Sequence, residues 1–401
     1  MTTENSNDDP PVGPLAGIRI IDATSVVSGP AAMGMLADQG ADVIKIESPK
    51  GDIMRHRGPD PDMTPGFVAC NRGKKSVTLD LKKPEVAEIL WRLLEGADVF
   101  AQNYRPGVIE RLGFDADTVL KRNPGLVYLS ISGVGNSGPY ADKRVYDPVV
   151  QALSGIAEVQ ADADTGRPRM IRTIVADKTT AAFAAQAVTA ALLSRVRTGK
   201  GQHVEISMLD TIVSYIWPEG MAPFTKVGAE DLEHRSSAHD MIFPTSDGYI
   251  TLGAVSDPEW KALCEAVDRP ELIDDPRFVT AGLRNTNRQE RLETIEAALG
   301  EVCRDEILAK LQAADVPSAP VLSRWEMLDN DQVKANDLIH ELDQPGMGRV
   351  RQARPAARFS ETPQPALRPA RMLGEDTEGV LSELGFSDAE IAAFRDSGAV
   401  G

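Results

Sequence analysis

The first 215 residues alternate between apolar runs of strand length and segments with a helical spacing of apolar residues. Because strands joined by intervening helices form βαβ units, this alternation predicts a parallel sheet covered by helices on both faces. In such an open α/β domain, ligands bind at the carboxyl ends of the strands. The predicted strands are Leu15–Thr24, Ala41–Glu47, Ser76–Leu81, Ala97–Gln102, Leu126–Ser132 and His203–Met208.

The longest helical segment, Lys178–Val196, carries apolar side chains almost all round, many of them alanine. A helix with this pattern is predicted to be buried on most of its faces, in the core of the domain. Gly199 and Gly201 are expected to end it before the last strand begins.

Asp177 immediately precedes this predicted helix, and two roles are open to its carboxylate. As an N-cap, it would accept hydrogen bonds from the free backbone N–H groups of the first turn, and spacing alone favours this role. Alternatively, a carboxylate fixed at the positive end of a helix stays ionised and can act as a nucleophile.

After Ile216 the sequence becomes polar, and patterns of a second, smaller domain follow. The clearest signal there is Asp247-Gly248 between two short apolar runs, which predicts a β-hairpin. From Trp325 onward the patterns indicate a return to the first domain. The predicted division is therefore 1–215, 216–324 and 325–401.

The composition of the chain argues against several classes of function. The 401-residue chain is 42% hydrophobic with a net charge of −17, which argues against nonspecific nucleic-acid binding. It has no apolar run of the roughly 20 residues that a membrane span requires, and its N-terminus is polar and acidic, so we expect a cytoplasmic protein. The cysteines and histidines show no disulfide or metal-ligand spacing, so no metal site is expected.

An acidic protein needs a local basic patch to bind an anionic ligand. The candidate cations are Arg55-His56-Arg57, Arg72-Gly73-Lys74-Lys75, Arg105, Arg111 and Lys143-Arg144. The segment 133–138 has the glycine spacing of a dinucleotide-binding loop, but a polar turn follows it instead of a helix. It therefore predicts only a tight glycine loop near a ligand.

Several segments, taken in order, resemble those of the class III CoA-transferases, the group of formyl-CoA transferase and carnitine CoA-transferase. They run from Leu15 nearly to the C-terminus: LAGIRIIDAT, GADVIKIE, NRGKKSVTLDLK, NYRPGVIERLGF, NPGLVYLSISG, RTGKGQHVEISMLD and LGEDTEGVLSELGFSDAEI. The resemblance implies an α/β fold: a Rossmann-like large domain, built from both chain ends and binding CoA, with a smaller α+β middle domain. It also implies a homodimer of interlocked rings.

The resemblance places the family nucleophile at Asp177. It implies that this carboxylate attacks a donor acyl-CoA, forming a mixed anhydride and then an aspartyl-CoA thioester, before CoA passes to an acceptor carboxylic acid. Acyl-CoA is thus a substrate, and no metal or permanently bound cofactor is required. The CoA contacts implied by the resemblance are Val27, Ser28, Leu79, Asp80, Leu81, Lys82, Asn103, Tyr104, Arg105, Arg111, Arg144, Val145, Tyr146 and Asp147.

Two departures from the family pattern argue against formate and oxalate as substrates. Ser48 stands where formyl-CoA transferases often have a basic residue, and their glycine-rich loop has no counterpart near 241–256. One alternative is a 2-methylacyl-CoA racemase, from the same superfamily, but Tyr146 stands where that group has its histidine base, and tyrosine titrates near pH 10. A noncatalytic CoA-binding protein is the other alternative.

Overall fold

The structure is a computed structural model that describes residues 12–58, 63–162, 165–228 and 240–401. The chain divides into two compact units, Met1–Ser237 with Asp337–Gly401, and Ala238–Asn336. The domain ranges expected from the sequence remain a prediction, because compactness alone does not define the CoA-binding domain.

The first unit is built on a six-stranded parallel sheet with the order β3-β2-β1-β4-β5-β6. The register places Ile21 of β1 between Ile44 of β2 and Phe100 of β4. These observations confirm the predicted α/β class and parallel sheet. The strands are β1 Arg19–Ala23, β2 Asp42–Glu47, β3 Lys75–Thr78, β4 Val99–Gln102, β5 Val127–Ser132 and β6 Gln202–Ser207, and β10 Ile339–Gln344 pairs antiparallel with β11 Gly348–Ala353.

Helices cover both faces of the sheet. One face packs against Met33 and Leu36 of α1 and Val188 of α8, and the other packs against α3 and the two C-terminal helices. The helices of this unit are α1 Ser28–Ala37, α2 Pro65–Asn71, α3 Val86–Glu95, α4 Val108–Arg111, α5 Ala116–Arg122, α6 Asp147–Leu153, α7 Ile156–Val159, α8 Val175–Thr198, α9 Met208–Ile216, α16 Thr377–Glu383 and α17 Asp388–Asp396.

Helix α8 differs from its prediction in two ways. It begins at Val175, so Asp177 is its third residue and does not precede it. In addition, only one side of the helix is buried: Phe183 and Leu193 are 38% and 53% exposed in the single chain. The prediction of burial on most faces was therefore wrong for this side, which carries apolar residues that the chain's own core does not cover.

The second unit holds a three-stranded antiparallel sheet and six helices within its described residues. The predicted hairpin at Asp247-Gly248 is confirmed, because β7 and β8 pair antiparallel on either side of it. The elements are β7 Ile242–Pro244, β8 Tyr249–Leu252, β9 Ser318–Pro320, α10 Asp257–Ala266, α11 Ala281–Thr286, α12 Arg288–Leu299, α13 Arg304–Ala313, α14 Arg324–Asp329 and α15 Asp331–Ala335.

A cluster of buried charges lies beside β1 and β2. Arg55 is fully buried and donates to Glu47 at 2.8 and 2.7 Å, while Lys45 lies 3.2 Å from Asp52. A buried charge that loses its partner is strongly destabilising, so these pairs constrain the loops that carry them. The segment Ala41–Glu47 was predicted as an apolar strand, yet two of its buried side chains are charged.

Candidate active site

Loops at the carboxyl ends of β1, β4 and β5 enclose a cavity of about 330 Å³ that contains Asp177. This is the edge of the sheet where an open α/β domain binds ligands. Eight of the residues that the resemblance assigned to CoA or catalysis line this one cavity: Ser28, Asn103, Tyr104, Arg105, Arg144, Val145, Tyr146 and Asp177.

The Asp177 carboxylate lies between the first turns of two helices. It belongs to the first turn of α8, and it accepts hydrogen bonds from the hydroxyl and backbone N–H of Ser28, the first residue of α1. Burial raises the pKa of Asp177, the nearby charge of Asp147 raises it further, and the two bonds from Ser28 act in the opposite direction. The net effect is a raised pKa.

Asp147, not Asp177, satisfies the free N–H groups of α8. Its buried carboxylate accepts hydrogen bonds from the N–H of Ala176 at 2.7 Å and of Asp177 at 3.4 Å. Gln151 anchors the other carboxylate oxygen at 2.6 Å. The interpretation of Asp177 as an N-cap was therefore wrong, because a carboxylate from α6 has taken that role.

The loop between β1 and α1 forms the wall beside Asp177. Asn103 holds it, because its side chain accepts a hydrogen bond from the N–H of Ser25 at 2.9 Å and donates one to the carbonyl of Ser25 at 2.8 Å. The next residue, Val26, lines the cavity and has a left-handed backbone with φ of 73°. The backbone of this loop is thus fixed by side chains from other elements.

Three cations, Arg105, Lys143 and Arg144, line the same cavity. Arg144 donates a hydrogen bond of 2.5 Å to the Tyr146 hydroxyl, and this bond lowers the pKa of Tyr146. The lack of a side chain at Gly133 allows Val145 to pack against the glycine loop, since a Cβ at residue 133 would lie 1.8 Å from Val145 Cγ2. Gly133 and Gly135 both line the cavity, which is consistent with the predicted glycine loop near a ligand.

Most of the other candidate cations have structural partners. Within the described part of the chain, Arg55 pairs with Glu47, and the pairs Arg72–Asp38, Lys74–Asp22 and Lys75–Asp42 have N···O distances of 2.6, 2.8 and 3.1 Å. These ion pairs stabilise the first unit, and they leave the cationic wall of the cavity to Arg105, Lys143 and Arg144.

The structure does not bring every predicted contact to the cavity. Val27 is buried as the residue before α1, Asp147 is buried under α8, and Arg111 and the segment Leu79, Asp80, Leu81 and Lys82 lie outside the cavity's described lining. Sequence reasoning missed Ser25 and Val26 as lining residues. No sequence signal identifies Val26, because valine rarely adopts a positive φ.

A second cavity of about 390 Å³ adjoins the first and shares Tyr104, Arg105, Pro106, Ile131 and Ser132 with it. Its remaining wall includes four acidic side chains, Glu110, Asp115, Asp117 and Glu205. Carboxylates repel phosphate groups, so of the two cavities the one with Asp177 suits an anionic ligand better.

The described residues include no cluster of histidine, cysteine, aspartate and glutamate side chains that could hold a metal ion. In the same residues, no helix combines the length and the apolar character that a membrane span requires.

Comparison with known proteins identifies the family of this chain. The model for CoA-transferase family III matches residues 15–377. The chain is 33% identical over 398 residues to the mouse succinyl-CoA:glutarate CoA-transferase, covering 96% of this chain and 90% of that protein. It is 32% identical over 415 residues to the formyl-CoA:oxalate CoA-transferase of Escherichia coli O6:H1, covering 96% and 99%.

A crystal structure of a CAIB/BAIF family protein from Brucella suis superimposes with a TM-score of 0.81 at 31% identity, covering 93% of this chain and 100% of that one. The chain belongs to CoA-transferase family III, which confirms the resemblance seen in its motifs. It is an enzyme, a CoA-transferase.

We predict that Ser28→Ala moves the acid limb of the kcat/KM profile to higher pH. The variant loses the hydroxyl that lowers the pKa of Asp177, and the nucleophilic role that the family resemblance predicts for Asp177 requires its ionised carboxylate. The matched control is Ser132→Ala, since Ser132 lines the same cavity but its hydroxyl accepts a hydrogen bond from Gly135. An acid limb that shifts equally in both variants, or in neither, would contradict this role for Ser28.

Proposed function

We propose that Asp177 is the nucleophile of a CoA transfer from a donor acyl-CoA to an acceptor carboxylic acid. A carboxylate oxygen of Asp177 attacks the thioester carbonyl, the C–S bond breaks, and CoA leaves as a thiolate. The thiolate then attacks the aspartyl carbonyl of the mixed anhydride, which releases the donor acid and leaves an aspartyl-CoA thioester. The acceptor carboxylate attacks that thioester and expels CoA thiolate, which leaves a second mixed anhydride between Asp177 and the acceptor. The thiolate finally attacks the acceptor's acyl carbon in this anhydride and releases the Asp177 carboxylate.

This proposal rests mainly on the observation that the Asp177 carboxylate does not cap its own helix. Because Asp147 accepts the N–H bonds of α8, the Asp177 carboxylate is available to react and faces the cavity. Burial and Asp147 raise its pKa, which makes it more basic than an ordinary aspartate, while Ser28 and the N-terminus of its own helix favour the ionised form. An oxygen nucleophile that is ionised yet incompletely solvated suits attack on a thioester.

We further propose that Arg105 and Arg144 bind the charged part of CoA, with Lys143 beside them. All three line the Asp177 cavity, and cations form charge-assisted hydrogen bonds with phosphate oxygens. The cavity encloses only part of an acyl-CoA, so the remainder of the ligand extends out along its mouth. The chain as a whole is acidic, and this cationic wall therefore supplies local attraction for an anion.

We also propose a homodimer with interlocked subunits, in a cytoplasmic location. The first unit exposes an apolar groove of about 700 Å³ between α1, α8 and residues 353–357. Met35, Ala182, Ala190 and Leu193 line it, and a large exposed apolar groove is typical of an interface. A second copy of this chain, as the family resemblance implies, would cover it.

Asp177→Asn tests the nucleophile. An amide does not attack a thioester, so we expect CoA transfer to fall by about 10³-fold or more, with folding and CoA binding retained. The matched control is Asp210→Asn, since Asp210 occupies the same third position of α9 and is exposed. Succinyl-CoA with glutarate is the first donor and acceptor pair to assay, because a relative is named for it. Transfer that survives in the Asp177 variant would contradict the proposal.

Arg144→Ala and Arg105→Ala test the CoA contacts. We expect each to raise KM for acyl-CoA about tenfold, with a smaller effect on kcat, because a charge-assisted contact made throughout the reaction is lost. Arg395→Ala, which removes an exposed arginine paired with Glu378 on the C-terminal helices, is the control. Unchanged KM in both variants would remove the assignment.

Light scattering coupled to gel filtration tests the dimer. We expect a particle of twice the 43.2 kDa chain mass at micromolar concentration. Leu193→Glu should weaken that dimer. Leu193 is exposed in the single chain, and a second copy that covers the groove would have to bury the new charge. A stable wild-type monomer would count against the proposal.

A further inference from the structure

The backbone at Val26 adopts a conformation that valine disfavours. Its φ is 73°, and a β-branched side chain makes this left-handed region sterically unfavourable. Such a residue persists only where its surroundings hold it, and strained residues of this kind cluster at active sites. Val26 lies two residues before Ser28, whose hydroxyl and N–H bond to Asp177.

Asp52 holds Val26 in place. Its carboxylate accepts the N–H of Val26 at 3.2 and 3.3 Å, and it also accepts the N–H of Met54 at 2.9 Å. Lys45 donates to Asp52 at 3.2 Å and to the carbonyl of Thr24 at 2.9 Å. Lys45 and Asp52 are 2% and 5% exposed, so water does not compete for these bonds.

The neighbouring residues of the loop are fixed as well. Asp22 accepts the N–H and hydroxyl of Thr24 at 3.0 and 2.5 Å, and Asn103 holds both backbone groups of Ser25. The start of α1, in contrast, has no side-chain cap at Val27. The position of its first turn therefore depends on the loop that leads into it.

We propose that Asp52, held by its ion pair with Lys45, is a positioning residue for the nucleophile. It fixes Val26 in the left-handed conformation and thereby sets the hydroxyl and N–H of Ser28 against Asp177. This inference rests on the proposed role of Asp177. It adds an indirect role for a buried ion pair, which acts through Val26 and Ser28 to set the orientation of the attacking carboxylate.

The test is a double-mutant cycle between Asp52 and Val26. Asp52→Ala should lower kcat by up to about 10²-fold, because displacement of a reacting group by an ångström has effects of that size. Glycine adopts a positive φ without strain, so Val26→Gly should relieve the need for Asp52. We therefore expect Asp52→Ala to cost at least about tenfold less in kcat when residue 26 is glycine.

A pH profile adds a readout that a role in stability alone would not change. If Asp52→Ala releases Ser28, the acid limb of kcat/KM should move to higher pH, and Val26→Gly should move it back. The charged and titratable groups around Asp177 are Asp147 on α6, the cavity residues Tyr104, Arg105, Lys143, Arg144 and Tyr146, and the Cys70 thiol, and none of them is substituted in the four proteins of the cycle.

The control cycle pairs Asp38→Ala with Val26→Gly, because Asp38 forms an ion pair with Arg72 at the other end of α1. Its effects should be additive. If Asp52→Ala fails to fold, Asp52→Asn takes its place in the same cycle, with a smaller loss expected because the amide oxygen still accepts the Val26 N–H.

Effects of Asp52 and Val26 that simply add, or an acid limb unmoved by loss of Asp52, would overturn the proposal. Both results are possible while Asp177→Asn remains inactive. Failure of the positioning role is thereby distinguishable from failure of the nucleophile assignment.

Discussion

The hydrogen bonds from α8 to Asp147 decide what Asp177 is free to do. The first N–H groups of any helix need acceptors, and an aspartate in the first turn is well placed to provide one. Here a buried carboxylate from α6 accepts the N–H of Ala176 at 2.7 Å, and Gln151 holds that carboxylate in position. The side chain of Asp177 therefore faces the cavity instead of its own helix.

Opposing electrostatic effects determine the pKa of the Asp177 carboxyl group. Burial and the charge of Asp147 favour its neutral form, while the bonds from Ser28 and the positive end of α8 favour the ionised form. The pKa is raised on balance, so the carboxylate is more basic than in water. Because Ser28 opens α1, the geometry of the carboxylate depends on the loop from Thr24 to Val26, and that loop depends on buried charges at Asp22, Lys45 and Asp52.

Local patterns predicted much of this architecture. Apolar runs placed all six parallel strands, and Asp247-Gly248 placed a hairpin. The motifs singled out Asp177. Local patterns did not reveal contacts between residues distant in sequence, such as Asp147 with Ala176 or Lys45 with Asp52. Lys45 and Glu47 lie in a segment that was predicted as an apolar strand, and their ion pairs with Asp52 and Arg55 show why they are buried.

The most direct measurement of the central claim is to trap the covalent intermediate. The enzyme is mixed with a donor acyl-CoA, quenched with hydroxylamine, which cleaves acyl anhydrides and thioesters to stable hydroxamates, and digested for mass spectrometry. The account predicts a hydroxamate on the peptide that carries Asp177, dependent on acyl-CoA and absent from Asp177→Asn. A donor-dependent hydroxamate on a different residue, with Asp177 unmodified in an actively transferring enzyme, would contradict it.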